Sequence, residues 1–260
     1  MDEARRRAYL DALGIPLWVP RAGVPAERLE VACADRSDAH RESDASNVGV
    51  GLADAVGAER RAVRQEDAGA AVPIDGLDWP ALRERVAACT ACALHATRTQ
   101  TVFGVGNQRA RLMIVGEAPG ADEDRQGEPF VGRAGQLLNA MLHAIGLDRG
   151  DVYIANVLKC RPPGNRTPLL DEAAACEGFL RRQIALIVPR LILCVGGIAA
   201  RNLLGTDTPV GKLRGAVHEV GVQRVPCVVT YHPAYLLRQP EEKAKAWQDL
   251  QLAARLLRQP

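Results

Sequence analysis

Four short, nearly unbroken apolar runs punctuate the second part of the chain: LMIVGEAPG (112–120), VYIANVLKC (152–160), LILCVGG (191–197) and PCVVTYHPAY (226–235). Runs of this length, rich in β-branched residues and stopped by Gly, Asn or Pro, predict strands buried on both faces. Around them the apolar spacing changes to three and four, at RAGQLLNAMLHAIG (133–146), TPLLDEAAACEGFLRRQIALIVP (167–189), IAARNLLG (198–205) and PEEKAKAWQDLQLAARLLRQ (240–259), which predicts helices. Strands alternating with helices predict an α/β fold with a mostly parallel sheet of four strands covered on both faces. In such sheets ligands gather beyond the carboxyl ends of the strands. Those ends are Gly116-Glu117, Asn156, Gly196-Gly197 and His232.

The first part of the chain reads differently. Residues 4–14 have the pattern of a short amphipathic helix, and the apolar piece IPLWVPR follows, so residues 1–33 are expected to form a small helical and extended segment. Residues 34–75 are rich in Ala, Gly, Ser and Asp with few large apolar residues. Such a composition buries too little surface to offset its ordering entropy, and predicts a flexible linker. The folded domain is expected to span 76–260.

Charge sharpens this division. The net charge is only +2, but residues 1–75 carry 10 Lys/Arg against 14 Asp/Glu while residues 76–260 carry 23 against 17. The second part is therefore the expected anion binder. With no apolar leader and no run long enough to span a bilayer, the chain is expected in the cytoplasm, away from membranes. There its seven cysteines would stay reduced.

Cys89 and Cys92 form a CxxC; Cys160 directly follows a predicted strand, and Cys176 lies in the next helix. Four thiolates brought together can hold zinc or an iron-sulfur cluster. Cys33, Cys194 and Cys227 stand alone, the last two in apolar strands, and read as core.

The turn GEAPGADED places two glycines and a proline within five residues, which aims backbone N–H groups at one point. Its carboxylates can cap the following helix or line a pocket. If Phe130, Asn156 and His232 converge on that turn, the pocket offers an aromatic face, an amide, an imidazole and a carboxylate. That set suits a planar base better than a triphosphate. An Asn can accept from N3–H and donate to O4 of uracil, while cytosine reverses both polarities.

The segments GEAPGADEDRQGEPFVGRAGQLL, YIANVLKCRPPGNRTP, LILCVGGIAARNLLG and YHPAYLLR, with the four cysteines, resemble the family 4 uracil-DNA glycosylases, the iron-sulfur branch of that superfamily. The resemblance covers about residues 80–257. It implies a three-layer α/β/α sandwich and removal of uracil from single- or double-stranded DNA. It makes Cys89, Cys92, Cys160 and Cys176 ligands of a [4Fe-4S] cluster, Phe130 the stacking residue and Asn156 the uracil-reading amide. Gly116 and Ala118 fall in the substrate-binding turn, and Glu117 and His232 become the catalytic pair, with Asp122 and Glu123 as reserve carboxylates. Position 118 carries a water-orienting aspartate in another branch of the superfamily; here it is Ala118.

A sister group traps uracil through a histidine after the Asn strand; RPPGNRTP has none, so the resemblance implies hydrolytic turnover. Tyr235, Leu236 or Leu237 would wedge into the gap left by the base, with Arg238 on a phosphate. The cluster would place Lys159 and Arg161 near DNA. The chain is expected to act as a monomer, with any contact to a replication or repair protein falling to the N-terminal segment. An iron-sulfur DNA-binding module without excision fits the same motifs, as does a zinc-bearing nucleotide-binding protein.

Overall fold

The computed structural model describes residues 73–259. The expected N-terminal segment, Cys33 and nearly all of the expected linker lie outside the described residues. Ile74 and Asp75, assigned above to the linker, form a 3-10 turn through Gly76, and Ile74 packs beside Gly178.

The elements run α1 (Trp79–Ala87), β1 (Val105–Gly106), β2 (Leu112–Gly116), α2 (Ala121–Gln126), α3 (Arg133–Ala144), β3 (Tyr153–Asn156), α4 (Leu170–Ile187), β4 (Leu191–Val195), α5 (Gly197–Leu204), α6 (Val210–Leu213), β5 (Val217–Val220), β6 (Val225–Thr230), α7 (Pro233–Arg238) and α8 (Lys243–Arg258). The sheet has six strands, not four, in the order β1-β3-β2-β4-β6-β5. The four predicted strands form its parallel centre. The two extra strands pair antiparallel at the edges. Neither edge strand carries the continuous apolar signal: β1 has two residues, and β5 reads VHEV with one buried side chain.

Because successive strand residues point to opposite faces, the central strands divide their side chains between two cores. Met113, Val115, Ala155, Ile192, Cys194, Cys227 and Val229 face Leu180 and Ile184 of α4 and Ala199 and Ala200 of α5. Leu112, Ile114, Ile154, Leu193, Val195 and Val228 face Leu138, Met141 and Leu142 of α3 and Leu250 and Ala253 of α8. Burying both faces makes this a three-layer α/β/α sandwich. Cys194 and Cys227 are core residues, as expected. A satellite cluster of Leu82, Val86, Phe103 and Phe179 seats α1 against α4. No helix among the described residues is long and apolar enough to cross a membrane.

Candidate active site

In the parallel register Gly116 at the end of β2 lies beside Asn156 at the end of β3. That pairing fixes the first wall of a pocket. A Cβ on Gly116 would lie 2.4 Å from Asn156 Oδ1 and 2.7 Å from Phe130 Cζ, so only glycine lets the amide and the ring approach so closely. Asn156 is 2% exposed and its Oδ1 is buried without a hydrogen-bond partner. A buried acceptor left unpaired costs about 1–3 kcal/mol, an expense a binding site tolerates because a ligand's donor removes it.

Phe130 is brought to the amide by a strained turn. Its φ is 55°, the left-handed region that bulky residues rarely occupy. Two side chains hold the turn from opposite sides. Glu123 Oε1 accepts from the backbone N–H groups of Val131 (3.0 Å) and Gly132 (3.2 Å), while its Oε2 accepts from Gly120 N–H at 3.1 Å. Arg149 donates to the Phe130 carbonyl at 3.2 Å and to the carbonyl of Pro129. Gly135 completes the fit, since a Cβ there would overlap the Phe130 carbonyl oxygen at 1.8 Å.

His232 enters from the end of β6 as the N-cap of α7. Its Nδ1 accepts from Ala234 N–H at 3.1 Å, so the neutral ring carries its proton on Nε2. Burial, with Arg238 nearby, pulls its pKa down to about 4, and the ring is neutral at pH 7. Its ring centroid is 5.5 Å from that of Phe130. Gly196 backs the imidazole rather than lining the pocket: a Cβ there would meet His232 Cβ at 3.1 Å.

These side chains enclose one cavity of about 430 Å³, lined among others by Glu117, Ala118, Phe130, Asn156, His232, Tyr235 and Arg238. Glu117 is half-buried, and burial raises its pKa above the ordinary carboxylate value. The other acids of the turn are committed elsewhere, which corrects the reserve roles given to Asp122 and Glu123. Glu123 is the brace just described, Asp122 pairs with Arg125, and buried Asp124 accepts from Thr99 N–H at 3.0 Å. The spacing Gly120-x-x-Glu123 is that of a helix-capping box, which signals the bond to Gly120 N–H and not those to Val131 and Gly132. Arg149 carried no comparable signal. The loop after Cys160 also reaches the cavity, through Pro162, Asn165 and Arg166. Arg166 is held there by a two-pronged pair with Glu172, at 2.6 and 2.9 Å.

Two of the expected DNA contacts need correction. Leu236 is fully buried in the core beneath α7, so it anchors that helix and is not available to enter a duplex. Tyr235 and Leu237 are half-buried and Arg238 is exposed at the rim. Lys159 is 1% exposed and turned inward, and cannot meet a phosphate. Arg161 remains at the surface, donating to Asn165 Oδ1 at 2.8 Å.

Cys89, Cys92, Cys160 and Cys176 line a second, small cavity together. As they stand, no group of three or more His, Cys, Asp or Glu side chains among the described residues is arranged to hold a single metal ion. The chemistry around the sulfurs nonetheless suits bound thiolates. Arg98 donates to Cys160 Sγ at 3.1 Å and to the Cys89 carbonyl at 2.8 Å. Burial pushes the free Cys176 thiol up to about 11, so a thiolate there depends on a bound cation.

Residues 103–251 match the uracil DNA glycosylase superfamily. The chain is 48% identical over 162 residues to the type-4 uracil-DNA glycosylase of Archaeoglobus fulgidus, a match covering 60% of this chain and 81% of that protein. It is 49% identical over 157 residues to the type-4 uracil-DNA glycosylase of Thermotoga maritima, with the same coverage of 60% and 81%. The type-4 uracil-DNA glycosylase of Pyrobaculum aerophilum is 44% identical over 181 residues, 67% of this chain and 92% of that protein. The chain belongs to the type-4 uracil-DNA glycosylases. Gly116, Phe130, Asn156 and His232 all fall inside the matched region.

Proposed function

We propose that the chain excises uracil from DNA by base flipping and hydrolysis, leaving an abasic site, with the cavity at the ends of β2, β3 and β6 as the base pocket. The observation that carries this reading is the unpaired, buried Oδ1 of Asn156, a residue that lines the cavity together with Phe130. The amide accepts from uracil N3–H and donates to O4, the ring stacks on the base, and a cytosine would leave both amide groups facing like partners. Arg161, Arg166 and Arg238, carried on the basic part of the chain, approach backbone phosphates. Tyr235 and Leu237 fill the gap in the stack.

Water then attacks C1′ as the N1–C1′ bond breaks and its electron pair passes into the uracil ring. Negative charge collects on O2, where the neutral His232 donates from Nε2, and a protonated imidazole is not needed. Glu117 accepts the hydrogen bond of the attacking water, takes its proton as the C1′–O bond forms and passes it to solvent; the other acids of the turn are already bonded, and position 118 is an alanine. The released uracil anion takes a proton from solvent. The rigid Glu123 and Arg149 braces keep the donors aimed in advance, so little reorganisation is needed during bond breaking.

The four cysteines would hold a [4Fe-4S] cluster, with the Arg98 guanidinium against the Cys160 sulfur offsetting part of its negative charge. When bound, the cluster supplies a covalent cross-link between the CxxC segment, the end of β3 and α4. In the test, purified protein is incubated with a uracil-containing oligonucleotide and abasic sites are then cleaved with alkali. Cleavage at uracil only is expected; binding without cleavage would overturn the reading in favour of a non-excising module.

A further inference from the structure

A lysine is among the side chains least often buried, yet Lys159 lies fully inside the protein. Its Nζ donates to the Asn156 carbonyl at 2.8 Å and to Gln183 Oε1 at 2.7 Å. Gln183, itself fully buried on α4, donates through Nε2 to the Phe103 carbonyl at 2.9 Å and to the Tyr153 hydroxyl at 3.3 Å. Those two bonds fix which end of the amide faces the lysine. On its other side Lys159 meets the cysteine site: it lines the small cavity that the four cysteines share and is the residue before Cys160.

Asn156 is the last residue of β3, and the chain beyond it is still tied to β2 by Val157 N–H to the Gly116 carbonyl (3.0 Å) and Leu158 N–H to the Glu117 carbonyl (3.1 Å). The Asn156 carbonyl takes its hydrogen bond from Lys159. Without that donor a buried carbonyl is left unpaired, and the peptide turns toward another partner, carrying the side-chain amide with it.

We propose that Lys159, oriented by Gln183, is the positioning residue through which the four-cysteine site holds Asn156 in its base-reading pose, setting uracil affinity without touching the base. This rests on the uracil-excision reading above. Lys159→Met keeps the apolar stem and removes the donor; Gln183→Met keeps the lysine but frees it. The readouts are inhibition by free uracil, binding to abasic-site DNA, iron content and the visible absorbance of the cluster.

Both variants are expected to keep iron, absorbance and abasic-DNA affinity, while free uracil inhibits about tenfold less well in Lys159→Met, as loss of one buried hydrogen bond implies. Gln183→Met is expected to move the same way by a smaller factor. Wild-type uracil inhibition in both variants would overturn the proposal. So would a parallel loss of uracil affinity, abasic-DNA affinity and iron, because that marks a merely structural lysine. If Lys159→Met does not fold, Gln183→Met alone decides. Absence of uracil release by the unaltered protein is a separate result, which would remove the excision reading instead.

Discussion

Replacing Gly116 with alanine adds a single methyl group, and the structure says where it lands. The new Cβ would lie 2.4 Å from Asn156 Oδ1 and 2.7 and 2.8 Å from two Phe130 ring carbons, all closer than real Cβ contacts allow. The amide and ring must therefore withdraw by roughly half an ångström or more, into a core where they have little freedom. Misplacing the amide forfeits two hydrogen bonds to the base at about 1–2 kcal/mol each, and misplacing the ring costs part of a stacking term of about 1–3 kcal/mol. Together these give about 3–6 kcal/mol, a fall in kcat/KM of roughly a hundredfold to ten-thousandfold. The fold should suffer less, since overpacking costs about 1–3 kcal/mol and lowers Tm by only several degrees. Single-turnover excision from a uracil oligonucleotide, with Tm measured alongside, checks both halves. Excision within threefold of the unaltered protein would refute the close approach of glycine, amide and ring.

Four further outcomes follow from the same geometry. Asn156→Ala should cut uracil release by at least a hundredfold while leaving the visible absorbance and iron content of the proposed cluster intact; normal release would remove its assigned role. Because the His232 ring stays neutral down to about pH 4, the unfolded chain binds a proton below about pH 6.5 that the folded chain refuses. Stability conferred by the buried neutral ring is thus lost as pH falls from about 6.5 to 4, at most about 3 kcal/mol, and His232→Gln should flatten that part of a Tm-against-pH curve. Burial raises the Glu117 pKa, so excision should fall on the acid side at a higher pH than an exposed glutamate would set, and Glu117→Gln should abolish that limb of the pH–rate profile. Finally, Leu236→Ala should cost about 2–5 kcal/mol of stability as a fully buried leucine, whereas Leu237→Ala, at a half-buried position, should lower Tm less and slow excision from duplex more than from single-stranded DNA.

The parallel centre of the sheet was legible because each strand is buried on both faces and writes itself as an unbroken apolar run. The edge strands were not, since β1 is two residues long and β5 exposes most of its side chains. Asn156 and His232 could be placed at strand ends from sequence because the strands end where the apolar runs end. Leu236 and Lys159 could not be placed that way. A short helix after a strand gives too few residues to show which face is buried, and a lysine's charge argues for the surface unless a partner network, here Asn156 and Gln183, is known. Glu123 was visible as an acid but its task is set by three backbone amides in two turns, a tertiary fact.

An acidic stretch beside a cleft proposed to take DNA would ordinarily repel the polyanion. Here one carboxylate is consumed by three main-chain amides, its neighbour is matched by Arg125, and a third is buried against the Thr99 N–H. Bonds to neutral amides leave those charges in place and only the Asp122–Arg125 pair is matched, so on the proposed reading approach of the duplex rests on the arginines at the rim and should weaken steeply with added salt.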